Sequence, residues 1–195
     1  MSSILVGNDG RARCAWAGSD AEYQRYHDEE WGTPLHGDRA LFEKLSLEGF
    51  QAGLSWITIL RRRPTFRAAF RDFDIDAVAA FDAGDVERLM ADPGIIRNRL
   101  KVDATISNAR VAQALVREHP GALDELIWSF APAPRDHAPA SLAELPAVTP
   151  ESTALSTALK KHGFRFVGPT TVYALMQSGG LVDDHVAGCF RSSFA

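Results

Sequence analysis

Glu48 stands in an almost wholly apolar run, Leu47 to Leu60 (LEGFQAGLSWITIL), together with Gly49 and Gly53. A carboxylate among so many apolar neighbours is costly to bury unless something binds it. Gly inside a helical pattern costs about 1 kcal/mol against Ala. A plain core helix would choose neither. The run therefore predicts two helical pieces, broken near Gln51 to Gly53, around a polar point, and a local rule broken in this way suggests a site. The alternative is a surface Glu on an amphipathic helix with a glycine needed for close packing. Trp16, Trp31 and Trp56 all precede residue 60, and Tyr23 and Tyr26 lie with them. Aromatic faces with one carboxylate suit a flat, electron-poor ring, a cationic one above all. The same aromatics also read as ordinary core.

A second set of residue types points to a metal. Cys14 and His27 have twelve residues between them, and His185 and Cys189 are four apart, so on a helix or turn the latter pair faces one way. Two Cys and two His make a tetrahedral zinc set, and with every position filled by protein such a metal is structural. It would tie the two ends of the chain together, which is where chains otherwise fray. On spacing alone three readings stand: zinc, two buried free cysteines with unrelated histidines, or a disulfide. His36, His119, His137 and His162 have no comparable partners and read as surface or satisfied residues.

Between Leu89 and Leu100 a helix, a Pro93-Gly94 turn, Arg97-Asn98-Arg99 and a further helix form a helix-hairpin-helix candidate. Backbone N–H groups of a glycine turn beside a helix N-terminus bind anions. Arg97 and Arg99 would hold phosphates without reading sequence. An ordinary helix corner with solvated arginines is the alternative.

The elements that must position these residues are helical. Ser19 to Glu22 fits a capping box opening a helix that carries Tyr23, Tyr26 and His27. Asp38 caps the next, and Pro64 suits the first turn of another. Asp74 to Phe81 and Asp85 to Met90 are short helices, Lys101 to Glu118 is a long amphipathic one, and Gly121 to Phe130 follows. Residues 131–149 are Ala- and Pro-rich, a loop with one turn at Leu142 to Leu145. Thr149-Pro150 opens a helix ending at Gly163, and Gly168-Pro169 opens the last, closed by Gly179-Gly180. No period-two strand and no repeat is evident. The reading is all-α, with about nine short helices and a loose tail at residues 1–12.

The chain has 195 residues, 46% of them hydrophobic, enough for a real core. No apolar run reaches the roughly 18 residues of a membrane span, and the start lacks the features of a signal peptide. A soluble cytoplasmic protein is expected. The formal net charge is −4. That argues against a general nucleic-acid coat but not against a DNA enzyme, since local patches matter more than the sum. Residues 57–110 carry ten Lys or Arg against eight Asp or Glu and form the net-basic third.

Taken together, Arg13-Cys-Ala-Trp16, Tyr26-His-Asp-Glu-Glu-Trp-Gly32, Leu47 to Ile57, Gly94-Ile-Ile-Arg-Asn98, Asn108-Ala-Arg110, Leu126-Ile-Trp-Ser-Phe130, Phe164-Arg-Phe-Val-Gly168 and Val182-Asp-Asp-His-Val186 run in order through the chain. In these motifs the chain resembles the 3-methyladenine DNA glycosylase I family of the helix-hairpin-helix glycosylase superfamily, across roughly residues 13 to 190. The resemblance implies an all-α, helix-hairpin-helix glycosylase bundle. Residues 13–190 would form one domain of two packed helical subdomains, with short tails at 1–12 and 191–195. One structural Zn2+ on Cys14, His27, His185 and Cys189 would join the N- and C-terminal segments.

The resemblance further implies a monomeric enzyme that flips 3-methyladenine out of alkylated double-stranded DNA and hydrolyses its N-glycosidic bond. Glu48 would be the principal polar contact of the base, with Trp16, Tyr26, Trp31 and Trp56 around it. The turn Gln51, Ala52, Gly53 and Leu54 would fill the gap in the duplex, while Gly94, Ile95, Ile96, Arg97 and Arg99 would grip phosphates. Many helix-hairpin-helix glycosylases use an Asp soon after the hairpin. This family is thought to lack it, and no motif marks Asp103 for that role. There are departures: position 50 is Phe where a polar residue is expected, the N-terminal ten residues are additional and the tail after Cys189 is short. Two rivals are a silent member that binds alkylated DNA and a zinc hydrolase with an open metal position.

Overall fold

The computed structural model describes residues 2–194. Among them are nine α-helices: α1 (Ala21–Glu29), α2 (Asp38–Gln51), α3 (Trp56–Ala69), α4 (Ile75–Ala79), α5 (Ala83–Ala91), α6 (Arg99–Glu118), α7 (Ala122–Trp128), α8 (Pro150–His162) and α9 (Pro169–Ser178). No helix is long and apolar enough to cross a membrane. Helix α2 runs through the middle, with α3, α6, α7 and α9 against it, and α4 and α8 pack on α6 and α9.

Local chemistry explains most boundaries. Asn98 accepts from the Lys101 amide and starts α6, Asp82 and Asp85 form a capping box on α5, and Thr149 and Ser152 form one on α8. Helix α8 begins with Pro150 and stops at Gly163, which is left-handed (φ 102°). Three helix starts differ from the sequence reading. Asp38 does not cap α2, whose N-cap is Gly37; its carboxylate accepts instead from the Gly121, Leu123 and Asp124 amides at the start of α7. Asp20, not Ser19, caps α1: its carboxylate accepts from the Tyr23 amide at 2.9 Å, while Glu22 pairs with Arg25 instead of reaching back. Pro64 does not open a helix but lies inside α3. Having no N–H, it leaves one helical hydrogen bond unmade, and α3 continues because Phe66 and Ala69 beyond it are anchored in the core.

Of the segment 1–12 read as a loose tail, residues 2–12 are ordered, and Met1 lies outside the described residues. Strand β1 (Ile4–Val6) pairs antiparallel with β2 (Ala12–Cys14) in the register Ile4↔Cys14, Leu5↔Arg13, Val6↔Ala12. Three-residue strands are too short for alternation to be legible. The hairpin is held by Arg13, which bonds Asp9 on one side and Asp28 of α1 on the other. The Pro-rich segment is the expected loop with a single short turn at Leu142–Glu144. It is strapped down by an Arg135–Asp184 ion pair at 2.8 Å and by the Leu142 amide, which donates to Ser3 Oγ.

The main core is rich in phenylalanine. Phe42, Phe50, Phe66, Phe70 and Phe73 are all fully buried. Phe50 packs on Phe66 with ring centres 4.7 Å apart and on Phe70 at 5.8 Å. Phe50 is thus a core residue. It lies two positions after Glu48, about 200° around the helix, on the opposite face. Phe50→Ala is expected to cost about 3–5 kcal/mol, read as a fall in the denaturation midpoint at unchanged slope.

Candidate functional site

Glu48 is only 3% exposed, near the C-terminal end of α2. Its Oε1 accepts from Ser178 Oγ of α9 at 3.0 Å and lies 3.3 Å from Lys44 Nζ, one turn earlier on α2. It borders a cavity of about 230 Å³ walled by Trp16, Tyr23, Tyr26, Trp31 and Trp56, with Gln177 and Leu145 at its rim. Drug-sized ligands typically occupy roughly 300–1,000 Å³, so this space suits something nearer one fused ring. Burial, and secondarily the Glu48 charge, pushes the Tyr26 phenol well above its ordinary range, so it remains a protonated donor. The Trp56 indole Nε1 is buried without a protein acceptor.

Of the two glycines of the opening run, only the second has a backbone reason. A Cβ on Gly49 would make an ordinary van der Waals contact with Phe166 Cβ at 3.5 Å. Gly53 has φ 83° in the turn between α2 and α3. That turn is firmly made: the Leu54 amide donates to Gln51 O at 2.7 Å and Gln51 Nε2 to Leu54 O at 2.6 Å. From α6, the buried Lys101 ammonium donates to Phe50 O and Ala52 O, each at 2.7 Å. A cation there also complements the negative end of α2. Ala52, Gly53, Leu54 and Ser55 stand exposed at the mouth of the fold.

Cys14, His27, His185 and Cys189 converge, all buried, with one ligand atom from each within 4.8 Å of the others. This arrangement could hold a metal. His27 Nδ1 donates to Asp28 Oδ1 at 2.9 Å and His185 Nε2 to the Trp31 carbonyl at 3.2 Å. Each ring therefore turns its other nitrogen inward, the usual support of a metal-binding histidine. Arg13 in turn holds Asp28, Nη2 to Oδ2 at 2.7 Å. The cluster also backs the pocket: Trp16 packs on His27 with ring centres 5.2 Å apart, and Trp31 on His185 at 4.7 Å.

The hairpin before α6 is held from α3. Arg62 donates to Pro93 O at 2.8 Å and Thr65 Oγ1 to Gly94 O at 2.6 Å. Of the residues expected to grip phosphate, Arg97 is exposed and Arg99 is exposed but paired with Asp103 at 2.9 Å. Ile95, 2% exposed, is packed in the core and Ile96 is partly buried beside it, so these two anchor the hairpin by their side chains and leave its backbone to face outward partners. The Arg61-Arg62-Arg63 run is also consumed internally, Arg61 by Asp20, Arg62 by the hairpin and Arg63 by Glu30. Asp103 does not line the cavity.

The structure brings together Glu48, Trp16, Tyr26, Trp31 and Trp56, as the sequence reading expected. Tyr23, grouped with these aromatics in the sequence, lines the cavity too; Gln177 and Ser178 are additions, and Lys44 stands behind Glu48 and Tyr26. Lys44 had a signal, its four-residue spacing from Glu48; Ser178 had none, because only the packing of α9 on α2 brings it there.

The profile of the family described as methyladenine glycosylase matches residues 16–192. The chain belongs to the methyladenine glycosylase family. It is 49% identical over 182 residues to DNA-3-methyladenine glycosylase 1 of Escherichia coli (strain K12), covering 91% of this chain and 95% of that one. It is 46% identical to the DNA-3-methyladenine glycosylase of Haemophilus influenzae (strain ATCC 51907 / DSM 11121 / KW20 / Rd), covering 91% and 96%. A crystal structure of a 3-methyladenine DNA glycosylase I superposes with TM-score 0.88 at 49% identity, over 92% of this chain and 99% of that one. The Staphylococcus aureus 3-methyladenine DNA glycosylase I, described for its recognition of 3-methyladenine, superposes with TM-score 0.85 at 36% identity, over 91% and 94%.

Within this family member the Cys/His cluster generates a direct test. Asp28→Ala removes the carboxylate that orients His27. It is expected to weaken metal binding by about 10- to 100-fold, measured by competition with a chromophoric chelator.

Proposed function

We propose that this chain is a DNA-3-methyladenine glycosylase. It would hydrolyse the N-glycosidic bond of 3-methyladenine in alkylated double-stranded DNA, releasing the base and leaving an abasic site. The observation that carries the reading is the aromatic cavity with a single buried carboxylate, Glu48, held by Ser178 and Lys44.

The target base lies inside a stack and must be extruded to reach such a cavity. Attached 3-methyladenine carries a positive charge. When the C1′–N9 bond breaks, its electron pair goes to the base, which leaves neutral, and the sugar becomes oxocarbenium-like before water adds to C1′. A leaving group of this kind needs little general-acid help. Glu48 accepts hydrogen bonds from the base edge, Tyr26 and Trp56 offer donors, and Trp16, Trp31 and Trp56 supply ring faces. Catalysis then comes mainly from selective binding of the extruded base. Normal adenine is rejected through weak stacking and costly extrusion from an intact pair.

The turn Gln51 to Leu54 fills the gap in the duplex, with Leu54 as its exposed apolar tip. The hairpin holds the backbone through its amides, Arg97 and Arg99. The donor set fits Zn2+: Cys14, His27, His185 and Cys189 would hold one ion tetrahedrally, and bound there it supplies folding energy with no open coordination position. Residues 13–190 act as one glycosylase unit of two packed helical subdomains. The enzyme works as a cytoplasmic monomer, with alkylated DNA as its partner.

Glu48→Gln should lower excision from methylated DNA by about 10- to 150-fold, the range expected for losing charged hydrogen bonds worth about 1.5–3 kcal/mol. Quantified release of free base is the measurement, and wild-type release would end the role assigned to Glu48. Replacing Arg97 and Arg99 together should reduce the slope of log K against log salt by about one per lost phosphate contact, regardless of sequence. Binding isotherms at graded salt check it.

A further inference from the structure

Lys44 is a buried charge that the proposed chemistry leaves unused. It is 8% exposed and lies one turn before Glu48 on α2. Its Nζ is 3.3 Å from Glu48 Oε1, donates to Tyr26 Oη at 2.8 Å, and stands 3.9 Å from the Trp56 ring centre. Its partners are therefore three residues of the aromatic cavity itself. Lys44 also lines a second cavity of about 240 Å³, whose other charged residues are Glu29, Glu30, Glu43, Arg63 and Arg67. Those five are already matched, Arg63 with Glu30 at 2.8 Å, Arg67 with Glu43 at 2.8 Å and Glu29 with Arg25 at 3.1 Å. The charge left to balance Lys44 is Glu48. Burial pulls the Lys44 ammonium down from the ordinary lysine range, and the Glu48 charge opposes that pull. Two aromatic faces near Nζ favour the charged form as well.

We propose that Lys44 sets the charge selectivity of the base pocket. Its ammonium balances Glu48, so the ionised groups around the cavity carry no net charge, and the preference left for a positive ring is the modest one of the aromatic faces. Lys44 also occupies the Tyr26 oxygen, which turns the Tyr26 hydroxyl proton toward other acceptors. A pocket holding Glu48 alone would favour the cationic nucleoside strongly and the neutral released base weakly. With Lys44 in place the two are treated more evenly, and neutral damaged purines are not excluded on charge. This inference rests on the reading of the cavity as a base pocket.

The test compares two probes by quenching of tryptophan fluorescence: neutral 3-methyladenine, and the permanently cationic 3,9-dimethyladeninium ion, whose second methyl stands for the sugar. Wild type should bind them with affinities within a few-fold of each other. In Lys44→Met and Lys44→Gln, the second of which keeps a hydrogen-bonding group, the ratio should move toward the cation by about tenfold or more. Lys44→Arg should keep the wild-type ratio. Thermal melts establish that each variant is folded. An unchanged ratio in a folded neutral variant overturns the proposal, as does a wild-type preference for the cation of tenfold or more, a measurement that needs no variant. If wild type binds neither probe, the base-pocket reading fails first and this inference falls with it.

Discussion

The two ends of the chain are closed on each other by Cys14, His27, His185 and Cys189, and much of the molecule depends on that closure. Two three-residue strands cannot stand alone, and the N-terminal hairpin is held to the rest by Arg13 on Asp28, by the Phe190 amide on Ala12 O and by the Leu142 amide on Ser3 Oγ. The same four residues are not remote from the pocket. His27 and His185 are the surfaces on which Trp16 and Trp31 rest, and the Trp31 carbonyl is the acceptor that orients His185. Closing the chain ends and shaping the aromatic wall are therefore one structural event.

Helix α2 resolves a conflict in another way. Its C-terminal turn must supply both core and site. Phe50 enters the phenylalanine core while Glu48 enters the pocket, and two residues of helical rotation separate the destinations. Burying Glu48 is tolerable because Ser178 and Lys44 reach it from two directions, so the carboxylate is partnered before any ligand arrives. The cost that made the residue conspicuous in the sequence is met within the fold.

How much of this was legible beforehand follows from the range of each signal. Residue type and spacing brought Cys14, His27, His185 and Cys189 together as one of three readings, and the family resemblance singled that one out across 171 positions of separation. Glu48, Trp16, Tyr26, Trp31 and Trp56 stood out because they contradict or crowd their surroundings. Phase was harder. The sequence placed Ile95 in the hairpin without saying which way its side chain turns, and only the packed fold shows that it points inward. Asp20 and Ser19 are both good caps, and no local rule separates neighbours of equal quality. Lys44 escaped because lysine is almost never fully buried, so a lysine one turn from Glu48 carries no signal of burial by itself. Ser178 belongs to a contact across 130 residues, which only tertiary packing creates.

Helix α6 carries a further consequence. Asn98, which ends the hairpin and starts the helix, and Lys101, which clamps the α2–α3 turn, sit within its first turn. The proposed wedge and the proposed phosphate grip are thus mounted on the same few residues of one rod. Their spacing is therefore set by the seat of α6 against α2, and a shift in that seat would move both at once.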